Sequence, residues 1–296
     1  MTLRLLAVHA HPDDESSKGA GSYAYYRSIG AEVMVVSCTG GERGDVQNEA
    51  LEARAMAERD MAGLRRIEMA RAQQILGIEH RWLGYVDSGL PEAGDEVPAN
   101  SFSLIPLEYS AAPLVKLIRE FRPQVLVTYD ENGGYPHPDH IRTHELSMYA
   151  FEAAADATRY PEFGEPWQIS KVYYDRMFTP DRFQSIYDEL VATEPDSPLL
   201  VRLAELRTRF ADRPAQEATT SVNVGAFFEH RDDALRSHAS QVPPDSDFFF
   251  WPNDLQRRAW PYESFQLAVS LVESELPESD LFAGIADDEA VQEARA

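Results

Sequence analysis

The feature that most constrains this chain is a repeated alternation: short apolar runs that end abruptly in polar clusters, separated by stretches with helical spacing. Leu3 to Val8 is the first run and ends in a His/Pro/Asp cluster; Glu32 to Ser37 is the second and ends in T-G-G. Both read as buried strands. Between them, Lys18 to Ile29 carries Ala20, Tyr23, Ala24 and Arg27 at helical spacing, closed by Gly30 as a C-cap. Strand, helix and strand in this order imply parallel strands. The segment from about Glu49 to Leu76, rich in Ala, Arg, Glu and Met and stopping at Gly77, predicts one long helix. Arg81 to Tyr85 predicts a short strand, Ser110 to Phe121 a helix ended by Pro123, and Gln124 to Tyr129 another strand.

The expected class is therefore α/β: a Rossmann-like, mostly parallel sheet flanked by helices over residues 1–165, with a smaller C-terminal lobe over 166–296 that completes the pocket within one continuous domain. In that lobe Lys171 to Phe178 reads as a strand, Leu199 to Arg209 as a helix and Val242 to Pro252 as ordered loop. The acidic run from about Pro277 to Ala296 reads as a tail that frays. Sites in open α/β sheets form beyond the carboxyl ends of the strands. Three strand ends carry reactive clusters, His9 to Glu15, Thr39 to Asp45 and Asp130 to His140, so these are expected to converge.

Composition narrows the function. At 296 residues and 44% hydrophobic content, the chain can bury a substantial core. A formal charge of −23, from 50 acidic and 27 basic residues, argues against nucleic acid or an anionic membrane as partner and for a small molecule. No window approaches the roughly eighteen apolar residues of a membrane span, and Met1 runs into the first strand with no basic start, which predicts a cytoplasmic protein. Nothing in the sequence sets the oligomeric state. The single cysteine, Cys38, excludes a disulfide framework, so any metal must use His and carboxylate ligands. Cys38 itself ends an apolar strand with no partner base in sight and reads as core packing.

His11-Pro12-Asp13-Asp14-Glu15 follows the first strand directly and holds an imidazole and carboxylates at the rim of the sheet. Two ligands three residues apart can reach one ion and leave the carboxylate between them free as a base. By itself the cluster is equally a helix cap made by Asp13 and Asp14. The second cluster, Tyr135-Pro136-His137-Pro138-Asp139-His140, shifts the balance towards metal, because four of the eight histidines (His9, His11, His137, His140) fall in these two stretches. Two His and one carboxylate leave a coordination position for water, the pattern of a catalytic zinc site, and non-haem iron uses a similar set. There is no G-x-G-x-x-G after the first strand, which argues against a dinucleotide-binding module.

A-H-P-D-D-E at Ala10 to Glu15, with G-G-Y-P-H-P-D-H at Gly133 to His140, resembles the LmbE-like (PIG-L) zinc deacetylases. T-G-G-E-R-G at Thr39 to Gly44, R-R-I-E-M-A at Arg65 to Ala70 and D-S-G at Asp87 to Gly89 extend the resemblance over most of the chain. H-A-S-Q-V at His238 to Val242 and L-Q-R-R-A-W-P at Leu255 to Pro261 resemble the actinobacterial branch that hydrolyses mycothiol S-conjugates. The resemblance implies one Zn²⁺ per chain on His11, Asp14 and His140, with Asp13 as general base. It further implies that His137 stabilises the tetrahedral intermediate or protonates the leaving amine, that Asp139 tunes His137 and that Tyr135 closes over the oxyanion. Lys18, Arg65 and Asp87 are implied on the substrate side, as is Asp45, which stands where a related deacetylase carries the longer Glu. The implied substrate is a mycothiol S-conjugate, cleaved at its amide; the alternative is the N-acetylglucosaminyl-inositol of mycothiol biosynthesis. Phe248 to Phe250 with Trp251 read either as lobe-closing core or as lining for an apolar S-substituent.

Overall fold

The computed structural model describes residues 2–92, 95–177, 179–211 and 217–285. The chain opens with β1 (Arg4–His9), α1 (Asp14–Lys18), α2 (Ala20–Ser28), β2 (Glu32–Thr39), α3 (Arg54–Arg59), α4 (Met61–Leu76) and β3 (Glu79–Tyr85). It continues through α5 (Leu107–Phe121), β4 (Val125–Thr128), α6 (Pro138–Ala155), β5 (Lys171–Arg176), α7 (Pro180–Thr193) and α8 (Leu199–Ala211). β6 (Thr220–Asn223), α9 (Phe228–Ser237), α10 (Asn253–Ala259) and β7 (Tyr262–Ser270) complete it.

The seven strands of the described residues form one sheet in the order β3-β2-β1-β4-β5-β7-β6. β1 to β5 pair in parallel, and β7 runs antiparallel to both β5 and β6. The central strands are apolar without alternation because both faces are covered. Leu5, Ala7, Val33, Val35, Val125 and Val127 pack on the side of α2, α4 and α9. Their neighbours Leu6, Val8, Met34, Val36, Cys38 and Leu126 pack on the side of α5 and α6, so Cys38 is core. Each such aliphatic side chain contributes roughly 1.5–3 kcal/mol on burial. A satellite core joins Phe183, Ile186, Leu190, Leu203, Trp251 and Leu255 of the later helices.

Three local expectations change. The long helix over Glu49 to Leu76 is two helices, because Asp60 leaves helical geometry (φ −152°, ψ 73°) and its carboxylate accepts from Gly63 N at 2.8 Å as a new N-cap. The helix expected from Lys18 begins after Gly19, where a side chain would collide with the ring of Tyr23. The terminal acidic run does not fray where it is described: Leu281 and Phe282 are fully buried, and Glu278 is buried against Lys171. Residues 286–296, and Phe178 at the end of the expected strand, lie outside the described residues.

Lys171 and Glu278 form a buried ion pair, and Glu278 also accepts from Tyr173 Oη at 2.6 Å and Thr220 Oγ1 at 3.1 Å. This joins β5 and β6 to the terminal segment. Lys171→Met strands the carboxylate and should cost about 3–5 kcal/mol in urea unfolding. The double substitution Lys171→Met with Glu278→Leu should recover much of that loss.

Candidate active site

β1 and β4 are neighbours although a long crossover separates them in sequence, so their loops leave the same sheet edge at a topological switch point. β2 lies on the other side of β1, and its last amide, Thr39 N, donates to Ala10 O at 3.0 Å. The three clusters therefore meet.

His140 is fully buried, and its Nδ1 lies 3.0 Å from Gly133 O. A carbonyl only accepts, so Nδ1 holds the proton and Nε2 a lone pair. That Nε2 is buried without a hydrogen-bond partner and lies 3.5 Å from Asp14 Oδ2. His11 turns Nδ1 to the same oxygen at 3.7 Å, and Nε2 to Asp139 and Asp87 at 3.3 and 3.5 Å. One donor atom from each of His11, Asp14 and His140 lies within 4.8 Å of the others. An orphaned imidazole lone pair beside a carboxylate fits a cation. His11, His137 and Asp139 form a second group of this size, but there His137 Nδ1 accepts Asp139 N–H at 3.1 Å and Asp139 accepts from Ser88 N at 2.9 Å and from the Ser88 hydroxyl. No orphaned lone pair marks that second group.

The local fold explains the placement. Gly133 sits at φ +71°, and a Cβ there would collide with His140 Cβ, so only glycine lets the loop pass this close. Pro138 begins α6, whose first turn carries Asp139 and His140 inward. Asp14 Oδ2 accepts from His11 N at 3.0 Å and Tyr129 Oη at 2.7 Å, while Oδ1 pairs with Lys18. Burial opposes the charge on Asp14, but Lys18 and the histidines hold its carboxyl well below the usual range. Burial alone would likewise lower His11, yet Asp139 and Asp87 raise it to about 10. The surroundings favour positive charge.

Asp13 occupies the N-cap position of α1 at φ +105°, its carbonyl accepting from Ser16 N and Ser17 N, but its side chain makes no cap bond. Such a backbone is strained for a non-glycine residue. The strain is held from behind, where Asp13 N donates to Glu15 Oε2 at 2.9 Å and Glu15 Oε1 lies 2.8 Å from His238 Nε2. The Asp13 carboxylate meets Arg65 Nη2 at 3.0 Å and lines the cleft. Burial raises its pKa, partly offset by Arg65.

The cleft, of about 360 Å³, is lined by His11, Asp13, Asp14, Asp45, Arg65, Asp87, Tyr135 and His137 among others. That volume suits a sugar-sized ligand. Tyr135 is exposed, its ring 4.5 Å from His140 and 6.0 Å from His137. Arg65 is already engaged, donating to Gly41 O at 2.8 Å and to Pro12 O, so its first task is to hold the loops of β1 and β2 together. Asp87 accepts from Arg43 N at 2.9 Å and Gly89 N at 2.8 Å and faces His11, which makes it a support for that imidazole. Lys18 does not line this cleft; it lies behind Asp14 and borders a different cavity. Of the Phe248 to Trp251 stretch, Trp251 is buried in the satellite core and Phe248 borders that other cavity. Tyr129, Arg43, Ser88 and the Glu15–His238 pair escaped sequence reasoning as site residues. Each stood in a stretch that the sequence singles out, Tyr129 at a strand end and Glu15, Arg43, Ser88 and His238 within the quoted motifs, but nothing in the residues around them assigned them a role.

The family model for GlcNAc-PI de-N-acetylase (PIG-L) matches residues 6–151. The mycothiol S-conjugate amidase of Streptomyces coelicolor is 50% identical over 293 residues, covering 96% of this chain and 98% of that one. The 1D-myo-inositol 2-acetamido-2-deoxy-alpha-D-glucopyranoside deacetylase of Streptomyces avermitilis is 40% identical over 299 residues, covering 96% and 97%. Among solved structures, N,N'-diacetylchitobiose deacetylase from Pyrococcus horikoshii superposes with a TM-score of 0.59 at 20% identity, over 89% of this chain and 83% of that one, a likeness of fold.

The geometry separates ligand from support. Tyr129→Phe deletes the hydroxyl that orients Asp14 and should weaken metal affinity about 10–100-fold in a competition titration with a chelator. Tyr135→Phe, which removes a hydroxyl that makes no hydrogen bond to Asp14 among the described residues, should leave that affinity unchanged.

Proposed function

The chain belongs to the PIG-L (LmbE-like) family, and from that premise we propose that it is a zinc-dependent amidase of mycothiol S-conjugates. Hydrolysis of the amide releases an N-acetylcysteine S-conjugate and glucosaminyl-inositol. The observation that carries this reading is the 50% identity to the S. coelicolor amidase over nearly the whole of both chains. A second reading is favoured by one observation: the inositol-linked acetamido-sugar deacetylase of S. avermitilis also matches along almost the full length, at 40% identity. Both reactions are amide hydrolyses on a glucosaminyl-inositol core.

His11, Asp14 and His140 would hold the zinc, a donor set of two imidazoles and one carboxylate that leaves coordination open. When bound, zinc supplies Lewis acidity that polarises the amide carbonyl and acidifies water. Asp13, at the cleft and next to the ligand Asp14, takes the proton of the attacking water; burial raises its basicity while Arg65 keeps it in place. His137 has Nδ1 occupied by the Asp139 amide, so its proton resides on Nε2 as a donor for the developing oxyanion or the leaving amine. Burial and the neighbouring His11 lower its pKa, which makes it a ready proton donor once charged. Tyr135, with its phenol at the mouth of the cleft, adds a second donor over the same oxygen. Asp139 and Asp87 hold His11 from the far side, and Asp45 and Arg65 border the space for the sugar and inositol.

Asp13→Asn should lower kcat/KM by about 10²–10⁴-fold while one zinc per chain is retained. His140→Ala should lose the zinc, measured by metal analysis. Catalytic efficiency on a bimane conjugate of mycothiol should exceed that on N-acetylglucosaminyl-inositol. A large preference for the acetylated sugar would replace the first reading with the second.

A further inference from the structure

On the far side of α1 from the metal cluster lies a second cavity, of about 40 Å³, bordered by Lys18, Arg176, Arg182, Arg231, Glu263 and Ser264. Three of its four cations are neutralised within the protein. Lys18 pairs with Asp14, Arg176 with Asp130 at 2.7 Å and Arg231 with Asp232 at 2.7 Å. Glu263 is committed elsewhere, accepting from Gly21 N at 3.0 Å and from Ser22 N and Oγ at 2.7 Å in the first turn of α2. Arg182 is different. Among the described residues no carboxylate forms an ion pair with it.

Its guanidinium is nevertheless well placed. Nη1 is anchored on Met177 O at 3.0 Å, and the cation lies 5.4 Å from the centroid of Trp251. Nε is buried with no hydrogen-bond partner, and Nη2 makes no hydrogen bond among the described residues. Nε and Nη2 form the side-on fork of a guanidinium, which matches the two oxygens of a carboxylate. Two more buried donors lack partners beside it, Arg176 Nε and Ser264 Oγ, which are directly opposite one another in the β5–β7 register. Arg182 also stands in the first turn of α7, where the helix dipole favours an anion. Burial and the neighbouring Arg231 press the Arg182 pKa down to about 9, with Glu263 and Asp232 pulling the other way, but arginine does not yield its proton, so the unmade bonds of its fork are a standing cost.

The geometry points to an anion site here, built for one small carboxylate of acetate size held on the Nε/Nη2 fork of Arg182 with Arg176 Nε and Ser264 Oγ as further donors. Size and donor geometry set the class. One water needs roughly 10–15 Å³, so 40 Å³ takes about three or four heavy atoms. That is too small for a phosphate, and a fork without a carboxylate partner calls for a planar two-oxygen group rather than a halide. Lys18 borders this cavity while pairing with Asp14, so an occupant would lie one helix turn from the metal cluster.

Zinc-loaded protein titrated calorimetrically with sodium acetate, against sodium chloride at matched ionic strength, should bind acetate saturably. Arg182→Gln should weaken that binding at least tenfold, and so should Arg182→Lys, which keeps the charge and loses the fork. Ser264→Ala should weaken it several-fold, which provides a test should Arg182→Gln fail to fold. Acetamide, the neutral isostere, should not bind, and His140→Ala should keep the acetate response. No saturable acetate binding, or equal binding of chloride or phosphate, would overturn the proposal. A response lost in His140→Ala but kept in Arg182→Gln would place the acetate at the metal site and overturn it as well.

Discussion

The hydroxyl of Tyr129 is the contact on which the site depends. It accepts Ala10 N–H at 2.9 Å, donates to Asp14 Oδ2 at 2.7 Å, and its ring stacks on His140 at 4.4 Å between centroids. One side chain at the end of β4 thus fixes the backbone leaving β1, one carboxylate of the cluster and one imidazole of the other loop. That is possible only because β1 and β4 are parallel neighbours, which brings residues more than a hundred positions apart to the same sheet edge. The tyrosine turns a topological adjacency into direct contacts between the two loops.

Around this fixed point the polar groups are arranged by sign. Asp14, Asp87, Asp139 and Asp13 surround two imidazoles, and the lone pair of His140 Nε2 is buried without a hydrogen-bond partner among the described residues. An unpaired buried polar atom costs free energy unless something else occupies its lone pair. Behind the loop, the sign reverses: Glu15 is held down to about 2, against the effect of burial, by the charge and hydrogen bond of His238. That buried pair anchors the Asp13 amide and so stabilises a backbone conformation that Asp13 would not adopt alone.

Much of this was legible in the residues. Three short apolar runs without alternation read as strands covered on both faces, and their parallel order brings the polar clusters together before any side chain is placed. What escaped has a common cause. The break at Asp60 depends on a single carboxylate turning back to Gly63, a local hydrogen bond that competes with a composition otherwise favourable to helix. α6 escaped because Pro138 and the reactive residues of its first turn masked the apolar stripe behind them. The burial of Glu278 depends on Lys171, a partner 107 positions away, so an acidic terminal run looked solvated. Arg65, implied only on the substrate side, turns out to brace the loops because Gly41, at φ +62°, leaves room for its guanidinium.

Adjacent carboxylates acquire different roles here through backbone geometry rather than chemistry. Asp14 begins α1 with its side chain turned inward to Tyr129, His11 and Lys18, whereas Asp13, forced to positive φ, is directed to Arg65 and the open cleft. One is therefore immobilised among cations and the other is raised in basicity by burial. Lys18, one turn along the same helix, completes the separation. By neutralising Asp14 Oδ1 from the side away from the cleft, it sets how much of that carboxylate's charge remains for a cation on the other. The helix is only five residues long, so a single ion pair, Lys18 with Asp14, stands between the His11/Asp14/His140 cluster and the arginine-lined cavity that Lys18 borders.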